Sequence, residues 1–234
     1  MKILFENVLA SESINSVNQI PNYPAQNLVS KFLELRYEVA GTSDTVTVDF
    51  GSPTDIDCVF LGYLNNITDI DLDLKVGAVS NAIDFSSYSN EGAVFRDFTV
   101  ISGVTTIELN LQGLNPFFAG GLAMGKAVDM PPATVQWEDS FQDNSSVTVS
   151  PYGQVNAQYI KPLRQFVFTF ESVSYNRFLF LKEQFAKVGS NPVWVVFFEE
   201  SQSDYPPGYY RVRMQGQRRN RLVYEFSVVF TEAR

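Results

Sequence analysis

Apolar and polar residues alternate with a period of two through much of the chain, as half-buried strands require. At 45–50, Val46, Val48 and Phe50 fall on one face and Thr45, Thr47 and Asp49 on the other. Gly51, Ser52 and Pro53 then read as a turn. Residues 56–64 are more continuously apolar, as expected of a strand in the core of a sandwich. Alternation returns at 69–74, and further strands are expected at 95–100 and 106–111. Short strands at this spacing predict an antiparallel sandwich or jelly roll. Ahead of them, 22–30 reads as an ordered leader loop with one helical turn. The stretch 113–128 holds four glycines and a proline. Its end, 119–127, is expected to be a last strand whose glycines let another backbone approach closely.

The second part of the chain changes period. Val135 to Glu138 reads as a short strand, 141–146 as a polar loop, and 146–159 as a ribbon interrupted by Pro151 and Gly153. Phe166, Phe168 and Phe170 then share one strand face, opposite Gln165, Val167 and Thr169. Ser174 is placed to cap a helix, and Val173 to staple onto Phe178. Phe178, Leu181, Phe185 and Val188 make one apolar stripe at helical spacing. Gly189 and Pro192 end the helix. A buried strand is expected at 193–198, then a hairpin of 209–215 with 221–230 around a turn at 216–220. The order is β-α-β-β-β, an α+β domain with a helix on a mixed sheet.

Charge divides the chain at the same place as the period. Residues 1–128 carry 6 Lys+Arg against 15 Asp+Glu, and residues 129–234 carry 11 against 11. With Met130, Pro131 and Pro132 at the junction, the expected domains are 1–128 and 129–234. The fold class is therefore mainly β: an antiparallel jelly-roll sandwich followed by the α+β domain. An acidic front half argues against nucleic acid as partner. Charged residues make up only 18% while Phe and Tyr number 20 and 11, which suggests surface covered by neighbouring subunits. The N-terminus turns acidic too early for a signal peptide. No apolar run approaches the ~20 residues of a membrane span. Synthesis in a cytoplasm, without membrane insertion, is the expectation.

The chain has no histidine, which removes His-based nucleophile systems and most zinc sites. No P-loop, GxSxG or GxGxxG motif is present. The single Cys58 sits in an apolar run and reads as an inert core thiol. Asp69, Asp71 and Asp73 invite a calcium reading, but the EF-hand pattern fails at Leu74 and Ser80. Alternation instead puts the three carboxylates on the solvent face of one strand, with a loop cation as the competing reading. Some carboxylate pair could in principle serve glycoside hydrolysis, yet the expectation is no enzyme, no cofactor and no metal. Arg211, Arg213, Arg218, Arg219 and Arg221 gather on one hairpin. Contacts to an acidic neighbouring subunit are favoured there over nucleic acid. Tyr63 and Tyr88, near turns, are the candidate glycan contacts, although most such exposed aromatics are expected to be interface anchors or core.

Two stretches carry a resemblance. Residues 24–28 (Pro-Ala-Gln-Asn-Leu), 35–37 (Leu-Arg-Tyr), 45–51 (Thr-Val-Thr-Val-Asp-Phe-Gly) and 56–65 (Ile-Asp-Cys-Val-Phe-Leu-Gly-Tyr-Leu-Asn) resemble the galactose-binding-like, discoidin-type jelly roll found in tailed-bacteriophage virion proteins. Tyr37 stands where that pattern often has Trp, and Tyr63 where it has His. Residues 146–154, 164–171, the helix and 191–196 resemble minor tail and baseplate proteins, whose β-α-β domain builds rings. The resemblance implies a structural component of a tailed-phage virion at the distal tail or baseplate. It implies a homo-oligomeric ring, other tail proteins as partners, and a peripheral jelly roll. The alternative is a glycan-binding adhesion module recognising host surface carbohydrate.

Overall fold

The computed structural model describes residues 1–11, 13–30, 35–85, 92–142, 145–149, 155–158, 162–198, 205, 207–220 and 223–233. In chain order the strands are β1 (Lys2–Leu4), β2 (Ser13–Ser16), β3 (Tyr37–Val39), β4 (Ser43–Val76), β5 (Val79–Ile83), β6 (Gly92–Ala119), β7 (Gly121–Gly125), β8 (Val128–Asp129), β9 (Ala133–Gln142), β10 (Ser146–Val149), β11 (Val155–Gln158), β12 (Leu163–Ser174), β13 (Val193–Val196), β14 (Gly208–Asn220) and β15 (Val223–Glu232). Among the described residues there is one α-helix, α1 (Tyr175–Val188). The protein is mainly β, and its sheets are antiparallel.

Two compact units form. The first is Met1–Asp129 with Trp194–Gly208 and Arg234, and the second is Met130–Val193 with Tyr209–Ala233. The sequence reading keeps 194–208 with the second segment; the contacts group it with the first.

In the first unit, β4 and β6 are long, repeatedly bent ribbons, each serving as several strands. Residues 106–112 of β6 pair with 43–49 of β4 on one side and with 69–75 of β4 on the other. β2 and β5 extend this layer at its two edges. A second layer joins 58–61 of β4 to 94–97 of β6 and to β7. Inward residues of both layers, among them Val46, Val48, Ile70, Leu72, Leu74, Ile107 and Leu109 from the first and Val59, Leu61, Val94, Leu122 and Met124 from the second, form one buried cluster. Burying each such side chain is worth about 1.5–3 kcal/mol. Bending lets a continuous chain enter both layers. The expected turn at Gly51, Ser52 and Pro53 is absorbed into β4 as a register shift between Asp49 and Thr54.

The second layer is also buried on its other face, which explains the unbroken apolar run at 56–64. Cys58, Phe60, Phe95 and Ala123 are buried there. The Phe60 ring lies 4.6 Å from Phe95 and 5.7 Å from Trp194. Trp194 belongs to β13, whose residues 194–196 pair with β1. A Cβ at Gly62 or Gly121 would come within 2.5 or 2.6 Å of the Trp194 ring, so both positions must stay bare. The glycines around 119–127 therefore admit mainly aromatic rings. Backbone approaches closely at Gly125, where a Cβ would meet the Glu6 carbonyl oxygen at 2.8 Å.

One charged side chain is buried among the described residues, Asp44, at 4% exposure. It accepts short hydrogen bonds from the Tyr37 hydroxyl and from Ser16 Oγ. The backbone N–H groups of Thr45 and Asn18 also donate to it, at 2.7 and 3.2 Å. A buried carboxylate is tolerated only when its oxygens are satisfied in this way. The network ties the leader strand β2 and β3 to the start of β4.

In the second unit the strand order is β14-β15-β12-β9, with antiparallel pairing throughout these four. These four strands contribute no parallel pair to the mixed sheet expected from the sequence. Phe166, Phe168 and Phe170 of β12 and Phe226, Val228 and Phe230 of β15 are buried together on one face. Cross-strand neighbours Phe170 and Phe226 stack at 5.2 Å, and Phe168 meets Phe230 edge-on at 5.9 Å. The stripe Phe178, Leu181, Phe185 and Val188 is the buried side of α1. Phe178 stacks on Tyr224 at 4.4 Å. Ser174 occupies the N-cap with extended backbone, but its side chain makes no capping hydrogen bond. Packing of the apolar stripe, rather than the cap, holds this helix. Gly189, at φ 60°, ends it by donating to the Phe185 carbonyl at 3.1 Å.

Candidate functional site: an aromatic turn on the sandwich

The most unusual backbone in the first unit lies where β4 turns, at residues 63–66. Tyr63 has φ 55° and Asn66 φ 60°, both left-handed. A bulky residue enters that region rarely, at a cost on the order of 1–3 kcal/mol. The surroundings impose it. The Gly120 N–H donates to the Gly62 carbonyl at 3.1 Å. A Cβ on Gly120 would fall 2.7 Å from Tyr63 Cβ, so the glycine makes the seat in which the tyrosine sits. Asn66 Nδ2 donates to the Pro116 carbonyl at 3.0 Å, fixing the neighbouring end of β6. The Tyr63 ring lies 6.5 Å from Trp194 and remains 37% exposed. Leu114 nearby in β6 is 64% exposed.

This geometry presents an aromatic face on a rigid support, with a phenol hydroxyl at its edge. Such a group can stack on an apolar ligand face and hydrogen-bond beside it. Sequence reasoning found Tyr63 and missed Trp194, Gly62 and Gly120, which hold it. The available signal was the glycine immediately before Tyr63 and the Gly120-Gly121 pair, read only as a place for backbone. Tyr88, the other expected glycan contact, lies outside the described residues.

The remaining candidates separate. Cys58 is buried; burial, with the Asp57 carboxylate beside it, pushes its thiol far above the usual range. Asp69, Asp71 and Asp73 alternate with buried Ile70, Leu72 and Leu74 on the outer face of β4, as the alternation requires. Asp73 accepts from Ser80 Oγ at 2.8 Å. Asp71 also lines a groove of about 460 Å³ with Asn18, Asn110 and Gln112.

Arg211, Arg213, Arg218 and Arg219 all lie on β14. β14 continues to Asn220, opposite Val223, so the expected turn at 216–220 is strand after a register shift between Gln215 and Arg218. Arg218 and Arg219 stand opposite Glu225 and Tyr224 near the hairpin's end. Arg211 and Arg213 stand opposite Thr231 and Val229, about 20 Å away at ~3.3 Å per residue. Both are exposed on the sheet face that carries Gln165, Gln215 and Thr231. Arg221 lies outside the described residues.

No protein-family model matches the sequence, and no curated protein matches it. Solved structures similar to it include carbohydrate-binding modules. Chitosan-binding module 1 from the chitosanase/glucanase of Paenibacillus sp. IK-5 is 9% identical, with a TM-score of 0.46 over 52% of this chain and 99% of that one. The family 32 carbohydrate-binding module of C. perfringens NanJ, in complex with galactose, is 11% identical, with a TM-score of 0.46 over 55% and 100%. The lectin binding domain of Lectinolysin, complexed with Lewis b, is 12% identical, with a TM-score of 0.42 over 52% and 96%. At such low identity and TM-score the likeness does not assign a ligand to this chain.

Proposed function

We propose that the first unit is a non-catalytic carbohydrate-binding module of the galactose-binding-like jelly-roll type, with the turn at Tyr63 as its recognition surface. The observation that carries this reading is the strained, half-exposed Tyr63, held against Gly120 and beside Trp194. Strain of this kind persists where the surrounding structure over-determines it, and it gathers at binding sites. A pre-set aromatic ring loses little conformational entropy on binding, which suits weak ligands rich in hydroxyls.

The test is a glycan array with the full chain and with Tyr63→Ala. The expected result is binding to a restricted set of glycans, reduced on the order of tenfold or more by the substitution. A wild-type chain that binds no glycan, or a Tyr63→Ala chain that binds as well, overturns the reading.

A second reading, a distal-tail or baseplate component of a tailed phage, rests on the motif resemblance at 146–154, 164–171 and 191–196 together with the helix-on-sheet form of the second unit. The solved structures named above lend it no support. Immunogold labelling of virions with antibody to this chain tests it: label at the tail tip is expected, and no label removes it.

A further inference from the structure

We propose that this protein associates with itself, the arginine-bearing sheet face of the second unit in one copy lying against the acidic outer face of the sandwich in the next. Arg211 and Arg213 occupy alternate positions of β14, both exposed, and neither has an ion pair or hydrogen bond among the described residues. They stand on a concave sheet face enclosing about 780 Å³, beside Gln142, Gln165 and Gln215 over Val167 and Val229. A polar sheet face with two unneutralised cations calls for an anionic, extended partner.

The first unit carries such a partner surface. Asp69, Asp71 and Asp73 line the outer face of β4, and register places Glu108 and Asn110 opposite Asp73 and Asp71. Asp49 stands across from Thr106 on the same face. The one lysine among these strands, Lys75, is already paired with Glu108. Same-face side chains on any strand repeat every ~6.5–7 Å. The two guanidinium groups can therefore meet two successive carboxylates in register, with the bidentate geometry arginine favours. The charge division fits: the first 128 residues carry a net −9 and the rest carry zero. An acidic surface stacked on its own kind would repel, whereas this contact joins unlike surfaces. Being heterologous, it propagates into a closed ring or an open filament.

Analytical ultracentrifugation of the full chain tests this. Wild type is expected to show concentration-dependent association in about 20 mM salt that dissolves near 0.5 M salt, because exposed charge pairs are screened. The double variant R211E/R213E and the triple variant D69K/D71K/D73K should each sediment as monomers with unchanged circular dichroism. Mixed in equal amounts they should associate again, since the aspartates of the first meet the arginines of the second. A wild-type chain that stays monomeric in low salt at every soluble concentration overturns the proposal. So does an R211E/R213E chain that still associates, or a mixture that does not recover, which would point to an acidic partner of another kind.

Discussion

The two units solve the same problem with different side chains. The sandwich core is largely aliphatic, built mostly from Val, Ile and Leu of strands facing one another across two layers. The second unit is aromatic, with Phe166, Phe168, Phe170, Phe178, Phe226 and Phe230 all buried. The difference follows from how many surfaces are available. Two facing layers interlock many small β-branched groups at high density. A single sheet with one helix has fewer facing positions, so each must bring more area, and stacked rings such as Phe178 on Tyr224 supply it. The first unit also buries Tyr37, Phe50, Phe85 and Phe117 in its cluster; on the other face of its second layer Phe60 and Phe95 lie with Trp194, where Gly62 and Gly121 leave room for the indole.

This contrast can be broken most strongly at its cores. Phe226→Ala removes a ring that touches both Phe170 and Phe178, and about 3–5 kcal/mol of stability should be lost. Gly121→Val drives side-chain atoms into the Trp194 ring and should cost about 2–4 kcal/mol, since a packed indole has little room to yield. Guanidinium unfolding followed by calorimetry should show the two substitutions moving different transitions. A single transition shifted by both would mean that the units melt as one and that the contrast has no thermodynamic content.

The next effect belongs to the buried carboxylate, which has no counterpart among the described residues of the second unit. Asp44→Ala leaves the Tyr37 and Ser16 hydroxyls and two N–H groups without their acceptor. A loss of about 2–4 kcal/mol is expected, against about 1 kcal/mol for Tyr37→Phe, which deletes one donor and leaves the rest. Equal losses for the two would show that the tyrosine alone carries the network.

The alkaline limb should separate the units more finely. Burial, reinforced by Asp44, holds the Tyr37 hydroxyl protonated well above its ordinary value of 10.0. Burial alone raises Tyr209 in the second unit. A folded-state pKa above the unfolded one gives stability that is complete below about pH 10 and declines as pH rises further toward the folded value. Chemical unfolding from pH 9 to 11.5 should show this fall. Tyr37→Phe should flatten it more than Tyr209→Phe, because only Tyr37 is opposed by a carboxylate as well as by burial. The smallest effect is chemical: Cys58 should stay unreactive to a thiol reagent in the native protein and react on unfolding, because its thiol is buried.

Much of the secondary structure was legible because alternation is a local property. Val46, Val48 and Phe50, the three aspartates of β4, the phenylalanines of β12 and the stripe of α1 all face as their spacing requires. The errors arose where elements depend on partners far along the chain. The supposed turn at 51–53 became a bend because β6 follows β4 through it. The supposed hairpin tip at 216–220 became strand because β15 extends opposite it. Of the candidate site, Tyr63 could be named from its position near a turn. Its left-handed backbone and its glycine seat could not, since Gly120 lies 57 residues away in the chain.

By itself the sequence determined that this protein is mainly β, that its charge is concentrated in the first half, and that histidine chemistry is outside its reach. Composition and period are enough for that, because each depends only on which residues are present and how they are spaced. The tertiary structure decided that β4 and β6 each run through both layers of one sandwich, and that Trp194 belongs with strands near the N-terminus. It also decided that one tyrosine is forced into a left-handed turn at the surface. Those outcomes rest on contacts between residues distant in sequence, whose energies are set by packing and by the exclusion of alternatives rather than by local preference.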